Sequence, residues 1–393
     1  MTWRRALADW KDLDQRRPAA WWLGLSGTIA GAVALAVLEV LRVAPRGSAW
    51  WILLAALLLA VVAVGRRMFW NDAERRLRLA WRLAGFVLVV ILLGIAASAV
   101  GLPMGPGERG RGTGAALKVS ATALALLTIA TIVAVRLFDR RPVRELGIVP
   151  VPGSWSDLAF GLALGSVLMT LIFAVEWLAG WVRIDAVAYT RVPGDTFTGA
   201  FLRMAGVFAC VGFYEELVSR GYLMRTMAQG LVGRRVRVPY AMAIAVVLSS
   251  LLFALGHANN PNASLVSTVN IVFAGIVLAL PYVLSGRLAG SIGLHAAWNF
   301  VQSSVYGFPV SGFETPASAL LIVQGGPLGW TGGAFGPEAG LLGLLALVLG
   351  AAVILWRESR RSGRLALCTA LVEGPVTPAT RGFPSASPAA PAS

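Results

Sequence analysis

Apolar runs long enough to cross a bilayer, about 20 residues each, alternate with short polar links along most of this chain. Read at that length, the pattern predicts about ten membrane-spanning helices. They lie at roughly 20–43, 49–65, 83–102, 117–137, 157–182, 199–223, 238–257, 266–284, 288–306 and 338–356. Trp21, Trp22, Trp50, Trp51, Trp81, Trp177 and Trp181 fall near the ends of these runs, where amphipathic rings settle at the membrane surface. Within the links the arginines alternate. Arg4, Arg5, Arg16 and Arg17 precede the first run, and Arg66, Arg67, Arg75, Arg76 and Arg78 follow the second. Arg140, Arg141 and Arg144 follow the fourth, Arg225, Arg234, Arg235 and Arg237 the sixth, and Arg357, Arg360, Arg361 and Arg364 the last. The intervening links are poor in base. This alternation predicts an even number of spans with both termini in the cytoplasm. The 307–337 link, Gly/Pro-rich and without Lys or Arg, is then an extracytoplasmic loop. The low-complexity stretch that closes residues 357–393 reads as a disordered cytoplasmic tail.

Composition agrees. At 57% hydrophobic and 13% charged residues, with mean hydropathy +0.73, the chain reads as an all-α, polytopic membrane helical bundle and not as a soluble globule. The net charge of +15 would suggest nucleic acid in a soluble protein, but here the arginines sit where they set orientation, so no nucleic-acid partner is expected. The Ala/Gly/Arg bias fits a bacterial gene of high G+C content, hence a bacterial inner membrane. Cys210 lies in a span and Cys368 in a polar tail, so a disulfide between them is not expected. The first run is too long for a cleavable signal, and no prenylation box ends the chain. No internal repeat is visible, which weakens a transporter reading.

The polar residues inside the apolar runs carry the chemistry. The chain has 2 histidines, His257 and His295, and both lie within spans. Glu215, Glu216 and Arg220 lie in another. Ionisable groups in hydrocarbon cost a few kcal/mol each and persist mainly where they pair or work. Glu216 and Arg220 are four apart and can pair on one helix face, which leaves Glu215 the less compensated acid. A carboxylate in a partly dry pocket is a suitable general base. His295 and Asn299 are also four apart, and together they suit donation to a developing oxyanion. Phe253 precedes His257 by one turn and could wall a pocket. The bland readings are a charged helix end for the glutamates and bundle-holding hydrogen bonds of about 1 kcal/mol each for His295 and Asn299. Two chemistries suit the set: zinc held by Glu215, His257 and His295 with water at an open position, or water activated directly by Glu215 and His257. The H-E-x-x-H zincin signature is absent, and no G-x-S-x-G motif lies near these residues.

The ordered triple Glu215-Glu216-x-x-x-Arg220, Phe253-x-x-x-His257 and His295-x-x-x-Asn299, on successive spans, resembles the three motifs of the CPBP family. This is the CAAX protease and bacteriocin-processing group of intramembrane proteases. The likeness extends upstream to Arg144, Glu145, Trp155 and Asp157, and it implies the following organisation. An N-terminal segment, 1–19, precedes accessory helices over 20–137. A cavity-containing protease core covers 138–306, followed by the 307–337 loop, a last span at 338–356 and the tail. The resemblance further implies endopeptidase activity on membrane-embedded or lipid-anchored peptides or proteins. Glu215, Glu216, His257, His295 and Asn299 would form the catalytic set, supported by Arg220 and Phe253. Glu215 and His257 would hold the water, and His295 with Asn299 would bind the oxyanion. No cofactor is required by that route, although zinc remains the alternative. A non-catalytic scaffold or immunity-type protein retaining the motifs, and an ion or solute pathway, are the rival readings.

One expectation conflicts with this grouping. With straight helices, Glu215 and His295 fall in the cytoplasmic half of the membrane, whereas His257 ends an outward helix near the far face. Bringing them together requires the 221–240 segment to dip into the protein, with Pro239 as a break, or a span count that is off by one.

Overall fold

The computed structural model describes residues 69–71, 74–104, 112–233 and 236–372. The expected helices at 20–43 and 49–65 and the end of the tail lie outside the described residues. The chain divides into two units, Met1–Arg78 and Leu79–Ser393. In the first, β1 (Trp70–Asn71) pairs antiparallel with β2 (Arg76–Leu77), with Trp70 opposite Leu77.

The second unit is a helical bundle, built from α1 (Leu79–Ala99), α2 (Thr113–Leu137), α3 (Ser154–Leu178), α4 (Phe197–Glu216), α5 (Arg225–Leu231), α6 (Val238–His257), α7 (Leu265–Ser285), α8 (Ala289–Phe300) and α9 (Leu341–Ser362). Among the described residues, 7 helices are long and apolar enough to cross a membrane, α4 and α5 counting as one continuous span of 35 residues. In lipid the backbone must satisfy its own hydrogen bonds, which makes the helix the default for such runs. The outer faces are apolar: Leu88, Ile91, Leu92 and Ile95 of α1 and Leu251 and Leu255 of α6 are all exposed, as lipid-facing positions would be. By contrast α8, of 12 residues, is buried from Gly293 through Asn299 and forms the centre of the bundle. It lies close against α3: a Cβ on Gly161 would come within 2.2 Å of Gly290 O.

Charged residues gather at one end of the bundle. Arg82 donates to Asp139 (2.6 Å) and Arg141 to Thr226 (3.1 Å), while Arg225 pairs with Glu145 (2.9 Å). Asp157 receives Arg287, Arg357 and Arg361 at 2.6, 2.9 and 2.9 Å. These contacts tie together the α2–α3 link, the α4–α5 span, the α7–α8 link and the end of α9. At the opposite end the remaining links meet. Thr113 donates to Asp195 (2.7 Å), and Asn260 donates to Ser311 O (3.0 Å). There β3 (Val182–Thr190) pairs antiparallel with β4 (Ala317–Gln324), from Val182 opposite Gln324 to Thr190 opposite Ala317, with a bulge between Ile184 and Ala186. The 307–337 link, expected to be an extracytoplasmic loop, contributes a strand. Its partner begins where the third of the described spans was expected to end.

Two further corrections concern backbone shape. Val238–His257 is one uninterrupted helix with Pro239 in its first turn, a position where proline's missing N–H costs nothing. The irregularity falls elsewhere: α4 passes into a π-helical stretch at Leu217–Met224 and then α5, eight residues past the expected end. A second π-helical turn, Val301–Val305, follows α8. Such insertions occur mostly as single turns and frequently at functional sites. Here each one directly follows a helix carrying candidate site residues.

Candidate active site

The close approach of α4 and α8 makes the site. Gly212 lies against α8 so tightly that a Cβ there would be 2.9 Å from Ala296 N. One turn further along α4, Glu216 is fully buried, and its Oε1 accepts from Arg220 Nη1 at 2.7 Å and from His295 Nδ1 at 2.8 Å. A carboxylate only accepts, so this contact puts a proton on Nδ1 and leaves Nε2 as the ring nitrogen that faces outward. Arg220 is itself buried, donates from Nη2 to Gly275 O (2.9 Å), and lies over the Phe253 ring at 4.6 Å. Glu216 and Arg220 stand behind His295 and do not line the cavity described next.

A cavity of about 1030 Å³ is lined by Glu215, Phe253, His257, His295 and Asn299. That volume is at the upper end of the range for ligand sites. Glu215 Oε2 is 3.7 Å from His295 Nε2, too far for a hydrogen bond, and is buried without a hydrogen-bond partner among the described residues. An unpartnered buried carboxylate oxygen is costly, and this one is held against the cavity. Asn299 lines the same wall one turn beyond His295. His257 sits at the end of α6, where its Nδ1 donates to Phe253 O at 2.8 Å, leaving the Nε2 lone pair free to accept. The Phe253 ring lies between the two imidazoles, with its centroid 4.8 Å from that of His257 and 5.9 Å from that of His295.

The cavity thus unites every sequence-selected residue except the buried pair, but it does not bring them into mutual contact. Glu215, Glu216 and His295 form one cluster, and the imidazole beside Glu215 is that of His295, not His257. The depth conflict is resolved without a bend in α6. Because the α4–α5 span runs on to Leu231, Glu215 lies near its middle, and Glu215 and His257 line one cavity. Among the described residues, no group of three or more His, Cys, Asp or Glu side chains is placed to hold a metal ion.

One lining residue escaped the sequence reading. Glu338, just ahead of α9, accepts from Ser311 N (2.5 Å) and Ser311 Oγ (3.3 Å) and lines the cavity alongside His257. Burial pushes its carboxyl above the usual carboxylate range, opposed by the Ser311 backbone donor and the nearby His257. An acid at the boundary of an apolar run reads as an ordinary surface charge, so no signal in the sequence singled it out. The polar lining also includes Ser219, Asn260, Asn270 and Ser303.

Residues 197–301, from the start of α4 to the end of α8, match the family model described as Rce1-like, type II CAAX prenyl endopeptidase Rce1-like. No curated protein and no solved structure matches the chain.

Proposed function

We propose that this multi-pass membrane protein, whose Rce1-like segment marks it as an intramembrane endopeptidase of CAAX-protease type, cleaves membrane-associated polypeptides with a water activated by Glu215. The observation that carries the reading is the unpartnered, buried Glu215 Oε2 in a cavity shared with two imidazoles and an amide. In the proposed reaction, Glu215 takes a proton from water as the oxygen attacks the scissile carbonyl carbon. His257 Nε2 accepts the water's other hydrogen and orients it. Negative charge develops on the carbonyl oxygen, where His295 Nε2–H and Asn299 Nδ2–H donate. For His295 to donate there while Nδ1–H is held by Glu216, it must be an imidazolium, with a hydrogen on each ring nitrogen. When the C–N bond breaks, the proton on Glu215 passes to the leaving amine. Arg220 neutralises Glu216 and, through it, fixes the orientation of His295. Preorganised donors of this kind typically account for 10²- to 10³-fold each, roughly 3–4 kcal/mol.

A bacterial inner membrane, with both termini cytoplasmic, is the location consistent with the composition and the arginine distribution. The test compares new peptide termini in membranes of cells expressing the wild type or Glu215→Gln. Termini that depend on Glu215 are expected, with a loss of about 10²- to 10⁴-fold in the variant. Their absence would reject the protease and favour a scaffold that merely retains the motifs. Cleavage that persists in chelator supports the direct-water route, and its loss would restore the zinc alternative.

A further inference from the structure

Every link that lines the cavity comes from one end of the bundle. The α1–α2 link contributes Met104 and Gly112, the β3–α4 link Arg191 to Pro193, the α6–α7 link Asn259 and Asn260, and the stretch after α8 Ser311, Glu314 and Glu338. These links are joined to one another through β3 with β4, Thr113 with Asp195 and Asn260 with Ser311. Among the described residues, none of the links at the other end lines the cavity. The α2–α3 and α7–α8 links and the segment after α9 are instead closed over by the ion pairs of Asp139, Glu145 and Asp157. The floor of the cavity is formed by Ser219, Leu223 and Leu294, well inside the bundle. It therefore opens at one end only.

The two ends differ in charge. Among the described residues, the closed end carries Arg140, Arg141, Arg144, Arg225, Arg237, Arg287, Arg357, Arg360, Arg361 and Arg364. Among the described residues, the links at the open end carry Arg183 and Arg191, with no Lys or Arg in 258–264 or 306–340, and hold Asp185, Asp195, Glu314 and Glu338. Basic residues in short links are retained in the cytoplasm, so the closed end faces the cytoplasm.

We infer that the cavity opens to the extracytoplasmic side, and that the substrate is a polypeptide segment presented there. It would be a translocated peptide or the outward end of a membrane protein, and not a cytoplasmic tail. The substrate class rests on the protease reading above; the sidedness does not. At the mouth, Arg191 pairs with Glu314 at 2.5 Å, and both side chains are more than half exposed, so charge at the entrance is balanced and selects for neither sign. The lining below it is dominated by Val207, Phe208, Val211 and Leu252, which suits an extended apolar segment.

Two measurements test this separately from the chemistry. In a background with Cys210→Ala and Cys368→Ser, Pro193→Cys marks the open end and Pro150→Cys the closed end; both positions are exposed. In intact spheroplasts a membrane-impermeant maleimide should label Pro193→Cys as fully as after lysis, and should label Pro150→Cys only after lysis. The reverse pattern overturns the inference. Second, Glu215-dependent termini should map to the extracytoplasmic side of their proteins, and cytoplasmic termini would overturn the substrate class. Labelling as expected with no Glu215-dependent terminus would leave the sidedness standing while rejecting both the protease and its substrate class.

Discussion

Replacing Arg220 by methionine removes the positive partner of a pair whose side chains are 1% and 0% exposed. Methionine keeps much of the volume, so the loss is chiefly electrostatic. Glu216 would be left buried with only the His295 donor, and Gly275 O would lose its guanidinium donor. Breaking a buried pair from one side costs about 3–5 kcal/mol. Because the unfolded chain in a membrane also finds partners, the expected loss is at the lower end, about 3 kcal/mol. Adding Glu216→Gln should recover part of it. The amide oxygen still accepts from His295 Nδ1 while no charge remains to be compensated, giving a favourable coupling on the order of 2 kcal/mol. The assay is thermal or denaturant unfolding in detergent for the wild type, both single variants and the double variant. Wild-type stability in Arg220→Met, or simple additivity in the double variant, would refute the view that Arg220 serves Glu216.

Two other perturbations separate chemistry from structure. Asn299→Ala should lower kcat by about 10²-fold while leaving KM and the unfolding midpoint nearly unchanged, since Asn299 contacts the cavity; an equal change in KM would point to ground-state binding instead. Glu338 should make stability depend on pH. Its carboxyl is raised in the folded state, so its contribution is present below the usual carboxylate range and declines as pH rises through the folded value. Glu338→Gln, neutral throughout, should therefore gain on the wild type as pH increases; parallel stability curves would rule this out.

The parts of this architecture that were legible in the sequence are those set by local spacing. Apolar run length located seven of the eight expected spans that fall within the described residues, because a bilayer fixes that length; the eighth, 288–306, is instead the 12-residue buried α8 followed by a π-helical turn. The separation of Glu216 from Arg220, one helical turn, was enough to pair them. What the sequence did not disclose depends on tertiary context. The π-helical stretch after Glu216 has no compositional mark, yet it sits where the α4–α5 span overran its expected end and moved Glu215 to mid-span. The pairing of β3 with β4 joins segments more than a hundred positions apart and was hidden behind a Gly/Pro-rich reading of 307–337. The assignment of His295, and not His257, to the side of Glu215 follows from the tight packing of Gly212 on Ala296, which helical periodicity on either helix alone does not reveal.

The division of the bundle into a closed, ion-paired end and an open, cavity-bearing end implies a division of labour. Lids and substrate-binding regions need low local stability, which is affordable only if other contacts hold the helices in place. Asp157 is the clearest such contact: 3% exposed, it gathers Arg287, Arg357 and Arg361 from the α7–α8 link and the end of α9. Asp157→Asn would leave three guanidinium groups facing an amide that cannot balance them. One partner of a buried ionic cluster typically costs about 3–5 kcal/mol when removed, and partial exposure of Arg361 should keep the loss near 3 kcal/mol. Because Asp157 lies at the end away from the cavity mouth, kcat/KM per folded molecule should be unchanged. The measurement pairs an unfolding curve with activity normalised to folded protein. If activity falls while stability holds, the ionic end takes part in the chemistry, and the separation of scaffold from site is wrong.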